Sequence, residues 1–60
     1  MKSEWRVTSN VIDGAKVYAV YRLIDKNAVD HSGNREYHDG KWIWDLNLAQ
    51  EVADQLNKKK

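Results

Sequence analysis

Lys16-Val17-Tyr18-Ala19-Val20-Tyr21-Arg22-Leu23-Ile24 is a run of β-branched and aromatic residues, side chains that suit a pleated, half-buried surface, and it reads as a β-strand over 16–25. Upstream, Trp5, Val7 and Val11 alternate with Arg6, Thr8 and Asn10. That period of two predicts a strand over 4–12, ended by the tight-turn pair Asp13-Gly14. So little chain joins the two strands that they must run antiparallel as a hairpin. One parity of the second strand holds Val17, Ala19, Tyr21 and Leu23, and these are expected to face the core. The other parity holds Lys16, Tyr18, Val20, Arg22 and Ile24.

Downstream, Asp25 to Gly40 is polar, carries Ser32-Gly33-Asn34 and Asp39-Gly40, and reads as a long turn with strand extensions at its edges. Lys41-Trp42-Ile43-Trp44 then supplies a third strand over 41–45. Both tryptophans share one parity and are assigned to the core, with Lys41 and Ile43 facing the other way. Asp45 can accept the free N–H groups of a following helix, with Asn47 and Gln50 as a competing cap. Over 46–57, Ala49, Val52, Ala53 and Leu56 fall at i, i+3, i+4 and i+7, one apolar stripe of an amphipathic helix. The expected architecture is α+β: a three-stranded antiparallel sheet with one C-terminal helix packed on one face, in the order β-β-β-α. Its core would hold Trp5, Val7, Val17, Ala19, Tyr21, Leu23, Trp42, Trp44, Ala49, Val52, Ala53 and Leu56.

Sixty residues leave room for a single small domain, 1–60, and exclude a multidomain enzyme. A content of 42% hydrophobic and 32% charged residues is that of a folding chain, while a mean hydropathy of -0.82 implies a thin core. Without cysteine, neither a disulfide framework nor a thiolate zinc site can brace it. No stretch approaches the ~20 apolar residues of a membrane span and no signal-peptide pattern opens the chain, so a cytoplasmic protein with no membrane partner is expected. The ending Asn57-Lys58-Lys59-Lys60 reads as a solvated helix end, favoured by the helix macrodipole.

Catalysis finds no support in the pattern. His31 and His38 lie among Asp30, Glu36 and Asp39 but match no metal-ligand spacing. A calcium loop starting at Asp25 fails because Val29 replaces an oxygen ligand and Asp30 replaces the turn glycine. His31 beside Ser32 lacks the geometry of base to hydroxyl with an oxyanion site, and there is no glycine-rich phosphate loop. A non-enzyme with no catalytic residues, metal or cofactor is expected.

A net charge of +1 excludes a polycationic nucleic-acid coat, so charge asymmetry must mark any partner. On the parities above, the sheet face opposite the helix presents Arg6 and Thr8, Lys16, Tyr18 and Arg22, and Lys41. Arg6, Lys16, Arg22 and Lys41 would neutralise phosphates and Tyr18 would stack or pack in a groove, which points to DNA binding through the open face. Val20 and Ile24 on the same parity, with the 25–40 loop, support an alternative: a protein-interaction module that binds and modulates a protein partner. An exposed edge strand permits a dimer without requiring one.

Tyr18-Ala19-Val20-Tyr21-Arg22-Leu23-Ile24-Asp25, then Val29-Asp30-His31-Ser32-Gly33-Asn34-Arg35-Glu36-Tyr37, with the ending 49–57, resembles short proteins of phages and mobile elements. That likeness covers most of the chain and brings no known activity; it implies a small phage-encoded protein that acts on a host partner. In element order, with a Trp-bearing first strand, a Tyr-rich second strand, a third strand after Gly40 and a helix with Ala49 and Leu56, the chain is also similar to the AP2-like arm-binding domain of tyrosine-type integrases. Such domains bind DNA through their three-stranded sheet. Here the 25–40 loop is longer and more acidic than that pattern, and no recombinase catalytic domain is present.

Overall fold

The computed structural model describes residues 1–40 and 42–58. Two strands, β1 (Arg6–Ile12) and β2 (Ala15–Leu23), form the expected hairpin, in register from Ile12 opposite Ala15 to Arg6 opposite Tyr21. The two turn residues Asp13 and Gly14 have φ of 52° and 78°. Positive φ at both central positions matches the right-handed twist of the strands that such a loop joins. The third strand, β3 (Arg35–Tyr37), pairs with the far side of β2, and the sheet order is β1-β2-β3. The helix α1 (Leu46–Lys58) packs across β2 and β1, completing a β-β-β-α fold with one helix on one sheet face. No helix among the described residues is long and apolar enough to cross a membrane.

The third strand lies earlier than the sequence pattern suggests. Arg35-Glu36-Tyr37 falls in the stretch read as a long turn with strand extensions at its edges, and its side chains answer those of β2 across the ladder: Arg22 with Glu36, Tyr21 with Tyr37. After β3 the His38 N–H still donates to the Val20 carbonyl (2.9 Å), and the chain then swings out through Asp39 and Gly40, both at φ 61°. It returns for one bridge, where Ile43 and Tyr18 exchange N–H···O bonds of 2.7 Å each. Within the expected strand 41–45, therefore, only Ile43 pairs among the described residues; Lys41 lies outside them.

The faces also differ from expectation. The helix stripe Ala49, Val52, Ala53 and Leu56 is as read, but it packs against Val20 with Trp5, Val7, Tyr18 and Ile43. Ala49 and Ala53 are fully buried and Val20 is 1% exposed, because two methyl side chains let the helix backbone approach the sheet at that valine. Val17, Ala19, Tyr21 and Leu23 are buried as expected, yet by strand alternation they face away from the helix. Trp42 and Trp44, expected in the core, flank Ile43 and so face away from the helix too, 43% and 70% exposed. The reason is the hairpin register: Trp5 and Val7 face the helix, and a two-residue turn sets Val7 opposite Val20, not opposite Ala19 or Tyr21.

Polar side chains satisfy backbone groups at the ends of the elements and in the 25–34 segment. Asp45 caps α1 by accepting the Asn47 N–H (2.9 Å), so Asp45 and not Asn47 starts the helix. At the other end Asn57 accepts the Trp5 N–H (2.7 Å) and donates to the Trp5 carbonyl (3.0 Å), replacing a strand neighbour at the outer edge of β1. Buried Asn34 organises the 25–34 segment: it accepts the Asp25 N–H (2.9 Å) and donates to the carbonyls of Asp25 (2.9 Å) and Val29 (3.2 Å). His31 accepts the Gly33 N–H through Nδ1, capping the short 3-10 turn before β3.

Val20→Ala should lower stability by about 2–3 kcal/mol in urea unfolding, a large share of the roughly 3–9 kcal/mol expected for a chain this size. Trp44→Ala should cost under about 1 kcal/mol, as for an exposed side chain. Asn34→Ala should cost about 1–3 kcal/mol by stranding the Asp25 N–H and two carbonyls. Hydrogen exchange should then quicken most at Asp25, whose N–H loses its acceptor, and at Tyr18 by no more than the global loss of stability.

Candidate functional site

Among the described residues, the sheet face away from α1 has no second layer over it. Alternation from the observed register places Arg6, Thr8 and Asn10 of β1 there, beside Val17, Ala19, Tyr21 and Leu23 of β2 and Arg35 and Tyr37 of β3. Trp42 and Trp44 continue the row next to Ala19 and Val17, set by the Tyr18–Ile43 bridge. Rings and guanidiniums thus take the place of a second helix. The Arg35 guanidinium carbon lies 4.4 Å from the centre of the Tyr21 ring, and Tyr37 meets Tyr21 at 6.2 Å with planes tilted by 40°. Tyr21 is buried beneath them, whereas Tyr37 keeps 43% of its surface exposed, as does Trp42.

Both arginines of this face carry a carboxylate partner. Arg6 Nε meets Glu4 at 3.2 Å and Arg35 Nε meets Asp30 at 2.8 Å. The Arg35 hydrogen bond holds the Asp30 carboxyl below the ordinary carboxylate range. Glu4 is lowered as well, by a hydrogen bond from its own backbone and by Arg6. The arginines remain cationic, with their charge partly neutralised.

Of the residues expected to contact nucleic acid, Arg6 alone among the described ones lies on the open face. Tyr18 packs into the helix-side cluster, and the Lys16 ammonium sits 5.9 Å from its ring centre. Arg22 lies against the Trp5 ring at 4.3 Å and grips Glu36 with two hydrogen bonds of 3.1 and 3.3 Å, while Lys2 binds the same carboxylate at 3.0 Å. Its work is to fasten β2 to β3 on the helix side. Lys41 is outside the described residues. Val20, central to the expected protein-binding surface, is buried under α1, leaving Ile24 exposed from that pair. His31 caps a turn, and His38 stands edge-on to Trp5 at 5.7 Å and faces the acidic side chain of Asp39 at 3.5 Å.

Sequence reasoning missed Arg35, Tyr37, Trp42 and Trp44 as residues of the open face. Their signal was the two-residue turn, whose register assigns parities along β2, followed by the opposite-charge pair that aligns β3. Among the described residues no group of three or more His, Asp or Glu side chains is placed to hold a metal ion. No model of a known protein family matches the chain, nor does any curated protein or any solved structure.

The ion pairs predict an acid-sensitive fold. Arg22 first and Lys2 second lower the Glu36 pKa below its ordinary 4.5, and Arg35 lowers that of Asp30. A carboxyl with a lower pKa folded than unfolded contributes stability that is complete above its ordinary value and is lost as pH falls through the lowered one. Melting temperature should therefore fall on acidification below about pH 4.5. Glu36→Gln combined with Asp30→Asn should flatten that fall in thermal melts recorded across the acid range.

Proposed function

We propose that the chain is a non-catalytic nucleic-acid-binding module, with DNA as its ligand, that uses the sheet face opposite α1. The observation that carries this reading is the side-by-side placement of exposed Tyr37, Trp42 and Trp44 with Arg6 and Arg35 on that single face. Large rings left in water on a sheet surface are platforms for bases or sugars, and guanidiniums among them meet phosphate or stack on bases. The resemblance in element order to integrase arm-binding domains, which bind DNA through their sheet, agrees with this reading except at the third strand, which here precedes Gly40. Arg6 keeps its expected role at phosphate, Lys41 stays a candidate from the sequence, and Lys16, Tyr18 and Arg22 give way to Arg35, Tyr37, Trp42 and Trp44.

A protein partner is the competing occupant, and amide-shift titration of labelled protein with short DNA, single-stranded and duplex, separates the two. Shifts should concentrate at Arg6, Tyr21, Arg35, Tyr37 and the indole N–H groups of Trp42 and Trp44, with α1 unmoved. An absence of shifts with either DNA form at low salt, or shifts confined to α1, would overturn the reading.

A further inference from the structure

Between Tyr37 and Trp42 the open face dips into a pocket of about 290 Å³, floored by Ala19 and walled by Gly40. Its origin lies in side-chain size, since a methyl group sits on the sheet between two large rings. Gly40, at φ 61°, carries no side chain that would close the rim. The volume is at the lower limit of small-molecule sites, which suits one planar ring system and not a larger ligand.

We infer that this pocket receives one unstacked base, and that the ligand of the open face is a single strand and not a duplex. The inference rests on the nucleic-acid reading above and narrows it. Two observations favour a single strand. The rings of Tyr37 and Trp42 at the pocket, with Trp44 on the same face, offer flat surfaces for stacking on the face of a base, which a duplex hides within its stack and a single strand exposes. The cations are few: among the described residues the open face has Arg6 and Arg35, each with a carboxylate within 3.2 Å. Duplex binders draw much of their affinity from many phosphate contacts, whereas base stacking needs no such array. Affinity should accordingly come from stacking, with a shallow salt dependence of about −0.7 to −1.4 in log K against log salt, as for one or two phosphates on a single strand.

Fluorescence anisotropy of an end-labelled, short mixed-sequence DNA strand, alone and annealed to its complement, tests this with the whole chain. The single strand should bind more tightly than the duplex. Trp42→Ala should weaken it about tenfold, the loss of one stacked base, and Trp42→Phe should restore most of that loss. Ala19→Val, which keeps every ring and a strand-favouring residue but raises the floor, should weaken it to a similar extent. Thermal melts of each variant establish that it remains folded. Duplex binding as tight as single-strand binding, or Ala19→Val binding like the parent, would overturn the base pocket while leaving the open-face reading in place. Failure of both DNA forms to bind would overturn both and pass the face to a protein partner.

Discussion

β2 has side chains that need cover on both faces, Val20 with Tyr18 on one and Val17, Ala19, Tyr21 and Leu23 on the other, and among the described residues a single helix covers the first. Every other feature of the fold answers that constraint. On one side Val20 is sealed by Ala49 and Ala53, small enough to bring the helix down onto the sheet. On the other side Val17, Ala19, Tyr21 and Leu23 are buried as well, with no second layer among the described residues. Tyr21 shows how: Arg35 lies against its ring and Tyr37 leans on it, so flat, amphipathic groups shield the strand with their inner surfaces and keep their outer ones in water. A surface needed for stability is thereby also available for recognition.

The rest of the sheet is held by pairings that tie distant parts of a short chain together. Arg22 joins β2 to β3 through Glu36 while its planar group covers Trp5, so one side chain contributes both an ion pair and apolar cover. Exposed ion pairs add little individually, and their value here is in register, since β3 has three residues and few other contacts to align it. Asn57 binds both backbone groups of Trp5 from 52 residues away, fastening the end of the helix to the start of the sheet. Asn34 does the same for a segment that has no ladder of its own.

Element types, hairpin, capping aspartate and helix stripe were all legible in the sequence, because each depends on local spacing: Asp13-Gly14 at the turn, Asp45 before the helix, Ala49 to Leu56 along it. Facing was harder. Either half of β2 looks like a core face, and hydrophobicity alone favours the set with Leu23. The turn settles the matter, since two loop residues fix which positions lie opposite and carry Val20 to the side of Trp5 and Val7. Tryptophan at 42 and 44 misleads for a related reason: large rings are expected inside, yet the residue between them, Ile43, takes the helix side of the bridge. β3 was hidden because Arg35-Glu36-Tyr37 is polar and gains its partners only once β2 is in place. The open-face residues were consequently read one parity out along β2, while Arg6 on β1 was placed correctly.

The central claim is that α1 covers the Val20 face and leaves the Trp42 and Trp44 face free, and proton–proton NOEs to the alanine methyl groups test it most directly. The account predicts cross-peaks from Ala49 and Ala53 to the Val20 methyls and to Ile43, and none to Val17 or Leu23. Cross-peaks from those alanines to Val17, Leu23 or the indole of Trp42 would contradict it, since the helix would then occupy the face assigned to recognition.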